Sequence, residues 1–274
     1  MTMRITVEGA MLTGDGNTIT GSAIGPGASV GPAAARLPEK REEGHRIGVI
    51  TMTPAETRAV RDVLALSPLR DGFHSGTRFT RVVAVRTHGQ GQGAAMDAAR
   101  RLVHHFSPEV LVLAGIAGAI DPGQRIGDVV VATKVVGYDL QKKTSHGTQH
   151  RGRHWEAPAT VGRAVDDFFS TRGEPAAIDD FLAHSGLIGS GNVVIAADNA
   201  PERRYLRSFN DKVLAVDMES DGLGQFCHEA GSRPWVVVRG ISDLADAQKD
   251  DDAHEIASRN AAVVLRDLIP YLVR

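Results

Sequence analysis

The stretch Arg46-Ile47-Gly48-Val49-Ile50-Thr51-Met52-Thr53-Pro54-Ala55-Glu56 decides what kind of fold to expect. Its first half is a short continuous apolar run, the pattern of a strand buried on both faces. Its second half carries the signals of a helix start. Thr53 can serve as N-cap, Pro54 suits the first helical turn, and Glu56 closes a capping box, so a helix is expected through Leu66. A buried strand that runs straight into a capped helix is the opening unit of an α/β domain. Downstream the same alternation continues. Strands are expected at Arg81–Arg86, Val110–Ala114, Asp128–Val136, Leu187–Ser190, Val213–Met218 and Trp235–Arg239. Helices are expected at Ala94–Phe106, Val161–Thr171, Pro201–Phe209 and Glu219–Ala230, with a long closing helix from about Ala253 to Leu272. The fold class is therefore α/β, a largely parallel or mixed sheet covered by helices on both faces.

Upstream of Arg46 the texture is different. Gly14-Asp15-Gly16-Asn17, Gly21-Ser22 and Gly25-Pro26-Gly27 are closely spaced turn signals. Short alternating pieces, Ile5-Thr6-Val7 and Thr18-Ile19-Thr20, lie between them, and Pro32 to His45 reads as a linker. Two readings stay open for residues 1–45: a disordered tail, or a small β element that pairs with a partner protein or another copy of the chain. Residues 46–274 then form the main domain.

Bulk composition narrows the function. With 274 residues, 42% of them hydrophobic, the chain can bury a large core. A net charge of -2 lacks the basic excess of a general nucleic-acid binder. The single cysteine, Cys227, cannot form an internal disulfide, which suits a cytoplasmic protein. The apolar run Leu111 to Ile120 is far too short to span a bilayer, and the N-terminus lacks the charge-then-apolar layout of a signal peptide. His146, His150 and His154 have no cysteine partners, and the adjacent His104 and His105 would point apart on a helix, so no metal site is expected. Gly89-Gln90-Gly91-Gln92-Gly93 is followed by no Gly-Lys-Ser/Thr and lacks the dinucleotide fingerprint, so no cofactor is expected either.

Four segments place small or acidic residues near strand ends, where ligands gather in open α/β sheets. In Ala114-Gly115-Ile116-Ala117-Gly118-Ala119 the small residues let a ligand approach the backbone, and tight strand–helix packing would give the same composition. In Val216-Asp217-Met218-Glu219 a carboxylate could accept bonds from two sugar hydroxyls, or simply face a helix dipole. In Ile241-Ser242-Asp243-Leu244 the acid could be a helix cap or a proton donor. Glu56 has its capping-box role already.

Taken in this order, the segments resemble the nucleoside phosphorylase and nucleosidase superfamily, with the nearest likeness to 5′-methylthioadenosine/S-adenosylhomocysteine nucleosidases. The resemblance runs from about Arg46 to the C-terminus. It includes Gly89-Gln90-Gly91 with Ala94-Ala95, Ser107-Pro108-Glu109-Val110, Ile126-Gly127-Asp128-Val129-Val130-Val131-Ala132, Ala215-Val216-Asp217-Met218-Glu219 and Val238-Arg239-Gly240-Ile241-Ser242-Asp243. It implies a three-layer αβα fold around a central mixed, partly barrel-like sheet. It implies that Asp243 protonates the leaving purine, which requires a raised pKa through burial. Ser242 orients Asp243, Glu56 activates the attacking water, Glu219 holds the ribose hydroxyls and Met218 packs under the sugar. Ile116, Ala117, Gly118, Val194 and Ile195 border the substrate. A homo-oligomer, a dimer or higher, is also implied.

Departures from the family pattern point to water and to an unusual 5′ side. Phosphorylases usually have arginine two residues before the glycine matching Gly115, and Ser or Thr after it. Here those positions hold Leu113 and Ile116, so a phosphate co-substrate lacks its donors. An aromatic stacking on adenine is replaced by Val194, and the segment after Ser242-Asp243 offers Lys249 and His254 in place of an aromatic. The stretch Lys142 to His154 is basic as well. The variant is similar to nucleosidase domains of antiviral conflict systems, some of which cleave ATP-type nucleotides, and residues 1–45 would then couple or assemble. The alternatives are a methylthioadenosine/S-adenosylhomocysteine nucleosidase, a phosphate-dependent purine nucleoside phosphorylase and a non-catalytic nucleotide sensor.

Overall fold

The computed structural model describes residues 44–274 except 146, 196, 198 and 245–250, and the side chains of 251 and 252. The expected elements in residues 1–43, and Lys249, lie outside the described residues. In chain order the first half holds β1 (Ile47–Thr51), α1 (Pro54–Leu64), β2 (Ser67–Pro68), β3 (Phe73–Gly76), β4 (Val82–Arg86), α2 (Gln92–Phe106), β5 (Val110–Ala119) and β6 (Val129–Gly137). Next come β7 (Gln141–Thr144), β8 (Gly147–His150), β9 (His154–Glu156), α3 (Ala159–Arg172), β10 (Ala176–Ile178) and β11 (Phe181–Ser190). The chain ends with α4 (Pro201–Phe209), β12 (Val213–Asp217), α5 (Ser220–Glu229), β13 (Trp235–Asp243) and α6 (Asp251–Leu272).

The sheet is mixed and curls on itself. Its main order is β10-β11-β6-β13-β5-β1-β4-β3-β2, and β12 pairs with both β11 and β5. The pairings β11–β6, β6–β13, β13–β5, β5–β12 and β12–β11 therefore close a ring of strands. This is the partly barrel-like centre expected from the resemblance. Helices α3 and α1 pack on α6, α2 packs on α5, and the two groups flank the sheet. Val49, Ile50, Leu111, Leu113, Val237 and Val238 are fully buried, so the central strands are covered as their unbroken apolar runs require.

Several expectations need correction; strand β11 starts at Phe181 and not at Leu187, and β13 runs past Arg239 to Asp243. Helix α1 ends at Leu64, because Ala65 takes a left-handed conformation (φ 54°) and its N–H turns back to the carbonyls of Arg61 and Asp62. Strand β5 does not end at Ala114 but runs to Ala119, because β13 and β12 pair with its small-residue half (Ile241 with Ala117, Val216 with Gly118) and satisfy its backbone. The basic stretch from Lys142 to His154, for which no strand is expected, does hold strands: β7 and β8 form a separate hairpin, and β9 adds to β6.

Candidate active site

Several strand ends meet at one pocket. The turn from β1 into α1 delivers Met52, Thr53 and Glu56, and β5 delivers Ile116, Ala117 and Gly118. Strand β12 delivers Asp217, Met218 and Glu219, and β13 delivers Ser242 and Asp243. All of them line one pocket of about 240 Å³. Val194 and Ile195 line it too, so every described residue expected at the site is present.

Glu56 does two jobs with two oxygens. Its Oε2 accepts from the N–H groups of Met52 (2.7 Å) and Thr53 (2.8 Å), and Thr53 Oγ1 accepts from Glu56 N (3.2 Å), which completes the capping box. Its Oε1 crosses to β5 and accepts from Ile116 N at 3.0 Å. The capping role of Glu56 thus leaves it lining the pocket. Capping fixes the carboxylate, and the second oxygen keeps acceptor capacity, since a carboxylate offers about four lone-pair sites.

The paired acids near Met218 separate in role. Asp217 is buried and structural: its Oδ1 accepts from Ser220 N at 3.1 Å at the start of α5, and its Oδ2 accepts from Ser220 Oγ and, at 2.8 Å, from Arg239 Nε. Glu219 faces the pocket. Its Oε1 accepts from Gly91 N at 2.9 Å and its Oε2 from Arg239 Nη2 at 3.1 Å. Burial pushes the Glu219 carboxyl above the usual range; Arg239 and the Gly91 N–H oppose that shift, while Asp217 and Glu56 add to it.

Arg239, fully buried, holds this cluster together, and the sequence reading did not single it out. Burial alone would weaken its hold on a proton, but Asp217, Glu219 and Glu56 reverse that, so its pKa is raised. Its Nη1 has no hydrogen-bond partner among the described residues. The signal was available, because an arginine inside Val236-Val237-Val238-Arg239-Gly240 cannot sit in such a strand unpaired.

Gly115 is where these groups crowd. A Cβ there would lie 2.4 Å from both Arg239 Nη1 and Glu56 Oε1. The small residue is therefore required by the site and not only by packing. Gly115→Ala is expected to cost about 1–3 kcal/mol through overpacking, measured as a lowered denaturant midpoint. An unchanged midpoint would show that the carboxylate and guanidinium move aside freely.

A β-bulge aims Asp243. Ile241 pairs with Ala117 and Asp243 with Gly118, so Ser242 and Asp243 together oppose one residue of β5. Consecutive strand residues normally point to opposite faces, and a bulge re-aims them. Both side chains line the pocket as a result. Ser242 Oγ lies 2.9 Å from Asp243 Oδ2 and 3.4 Å from Ala117 O, and its one proton can serve either acceptor. Asp243 is half-buried, not buried as expected, because the strand end opens directly onto the pocket.

The opposite wall is pinned from below. Tyr138 Oη donates to Val193 O at 2.7 Å, which fixes the Val193-Val194-Ile195 segment. Burial, with nearby Asp217 and Asp139, raises the phenol's pKa and keeps it a donor. Asp139 Oδ2 accepts from Asn192 N (2.7 Å) and Gln92 Nε2 (3.1 Å), tying the same segment to α2. Tyr138, Gln90 and His254 also line the pocket. Tyr138 lies in no linear motif, and Gln90, inside the Gly89-Gln90-Gly91 run, stood there only as part of the family pattern, so neither was expected at the site.

Residues 46–270 match the family model described as the phosphorylase superfamily. The chain belongs to that superfamily. A 5′-methylthioadenosine/S-adenosylhomocysteine nucleosidase of Pseudoalteromonas translucida (strain TAC 125) is 27% identical, with 82% of this chain and 97% of that protein covered. One from Marinomonas sp. (strain MWYL1) is 30% identical over 68% of this chain and 80% of its own length. The solved structure of the S. pneumoniae nucleosidase with a transition-state inhibitor superposes with a TM-score of 0.68 at 26% identity, covering 83% of this chain and 99% of that one. Within the superfamily this chain is a nucleosidase, an N-glycosyl hydrolase.

Proposed function

We propose that the enzyme hydrolyses the N-glycosidic bond of an adenine-type purine nucleoside or nucleotide, with water as nucleophile, releasing free base and the ribose moiety. The observation that carries this reading is that Glu56 and Asp243 line one pocket from different elements. Glu56 is held at Ile116 N and Asp243 pairs with Gly118, two residues further along β5. A sugar–base junction in that pocket would have a proton donor and a water-activating base at hand. Departure of the base builds positive charge on the ribose and negative charge on the purine. Asp243 neutralises the second by donating a proton, oriented by Ser242. Glu56 takes a proton from the water that attacks the first, and Glu219 holds the ribose hydroxyls over Met218.

Water is favoured over phosphate by charge. Asp217, Glu219 and Glu56 surround the single guanidinium of Arg239, so a phosphate dianion would meet net negative charge. The catalytic set is complete, which speaks against an idle sensor. The pocket lining also includes polar Gln90 and His254, which would suit a charged 5′ substituent better than a methylthio group. We therefore favour a phosphorylated, ATP-type substrate, in keeping with a defence role. We further propose a cytoplasmic protein, in keeping with the single Cys227, that forms a homo-oligomer, as the resemblance implies, and couples to a partner through residues 1–45.

The test is a panel of adenosine, methylthioadenosine, AMP and ATP, with and without inorganic phosphate, assayed for free adenine. Release is expected without phosphate and with preference for the phosphorylated substrates. Strict phosphate dependence would make the enzyme a phosphorylase. Release from methylthioadenosine alone would overturn the phosphorylated-substrate reading and leave hydrolysis standing.

A further inference from the structure

Helix α1 has two lined faces. Thr53 and Glu56 border the catalytic pocket, whereas Pro54, Thr57, Arg58 and Arg61 border a second cavity of about 310 Å³. The loop after β4 is shared in the same way. Thr87 and His88 line the second cavity, and Gln90 lines the first. Two residues apart, His88 and Gln90 have Cα atoms within ~7.6 Å of each other. Thr87 Oγ1 donates to Gly89 O at 2.6 Å and fixes the bend between them. The two cavities are therefore neighbours along the N-terminal turn of α1 and residues 87–90.

The second cavity is basic, and the chemistry described above uses none of its charge. Arg58, Arg61, Arg86 and Arg101 line it together with His74 and His88, against one carboxylate residue, Asp71. Arg101 is preset: it lies over the Phe73 ring at 5.0 Å, its Nη2 donates to Asp71 O at 2.9 Å, and its Nη1 is 3.3 Å from His88 Nε2. Arg58 is paired with Glu255. Arg61 Nε and His74 Nδ1 are buried atoms with no hydrogen-bond partner among the described residues. A buried donor left unpaired is costly, and guanidinium groups that outnumber the carboxylates beside them fit an anion with several oxygens.

We propose that this arginine-lined cavity binds the 5′ phosphates of the nucleotide whose base and ribose occupy the adjoining pocket. The proposal rests on the phosphorylated-substrate reading above and gives it a place. The ribose lies at Glu219 and Gly91, and the phosphate chain leaves it past Gln90 and Thr53 toward His88, Arg61 and Arg101. Arg86, exposed on the cavity rim, meets the end of the chain.

The test compares kcat/KM for ATP and for adenosine in the full chain, in Arg61→Met and in Arg86→Ser, with tripolyphosphate as a separate anion. Wild type is expected to favour ATP, each variant to lower the ATP-to-adenosine ratio at least about tenfold, and tripolyphosphate to compete with ATP. Arg86 is exposed, so its substitution does not act through folding. A wild type that favours ATP, with the ratio unmoved in both variants, overturns the arginine site and leaves the phosphorylated-substrate reading intact. A wild type that cleaves adenosine but not ATP overturns that reading and the site with it. Tripolyphosphate that stimulates adenosine cleavage in wild type but not in the variants would assign the cavity to a separate anion, and overturns its assignment to the substrate's own tail.

Discussion

Asp243→Asn is expected to abolish base release, with turnover lowered by about 10²–10⁴-fold, the usual worth of a positioned general acid. Substrate affinity, measured by calorimetry, is expected to change little. The two outcomes separate because the amide keeps the shape and can still donate a hydrogen bond to the base, yet has no proton to transfer. The fold should be indifferent as well. Ser242 Oγ, 2.9 Å from Asp243 Oδ2, can donate to the amide oxygen just as it does to the carboxylate, and the bulge that aims the side chain is a backbone feature. A loss of turnover in this variant is therefore a loss of chemistry. Turnover at the wild-type level would remove Asp243 as the acid and leave the leaving group to be protonated by solvent.

Glu56 shows why a local role and the proposed catalytic role need not compete. One oxygen of its carboxylate satisfies the helix start, and the other is held at Ile116 N on the far side of Gly115. The cap restrains the side chain, and the restraint is what makes the second oxygen available in a fixed place. A capping box read from sequence is thus no evidence against a functional acid.

What could be read in the sequence followed signals that are local. Apolar runs marked β1, β4, β6, β12 and β13, and caps and periodicity marked the helices, because each depends on neighbours within a turn or a pleat. Glu56, Glu219 and Asp243 stood out because each follows such a run. The ring closure did not show, since β12 reaches β5 and β11 through pairings that no local pattern encodes. The extension of β5 to Ala119 was hidden for the same reason: small residues look like a loop until partner strands claim their backbone. The short strands β2, β3, β7, β8, β9 and β10 carry too few residues to display a period. The arginine cavity draws on residues from Pro54 to Arg101, spread over two helices, two strands and loops, and forms no motif in the chain. Lys249, expected near the substrate, lies outside the described residues.

Replacing Arg239 with methionine is expected to cost about 3–5 kcal/mol of folding stability, the usual effect of removing one partner from a buried ion cluster. Arg239 is fully buried and satisfies Asp217 and Glu219 at once, and what it leaves behind is two carboxylates out of water with Glu56 beside them. Activity should fall further than stability alone explains, since Glu219 loses the bond that aims it at the pocket. A double variant, Arg239→Met with Asp217→Asn, separates the two effects. Asparagine can still accept from Ser220 N, one of the like charges is gone, and stability should partly return while activity does not. The pH dependence of the single variant has a definite sign. Arg239 opposes the burial that raises the Glu219 pKa, so without it the folded-state value climbs further above the unfolded one. The folded state then binds more protons than the unfolded state, and stability is lost as pH rises through that window. The deficit against wild type, measured by denaturant titration, should therefore be largest near neutral pH and narrow toward acid. A deficit that stayed constant from acid to neutral would mean that the orphaned carboxylates find other partners, and that Arg239 serves the site by its shape more than by its charge.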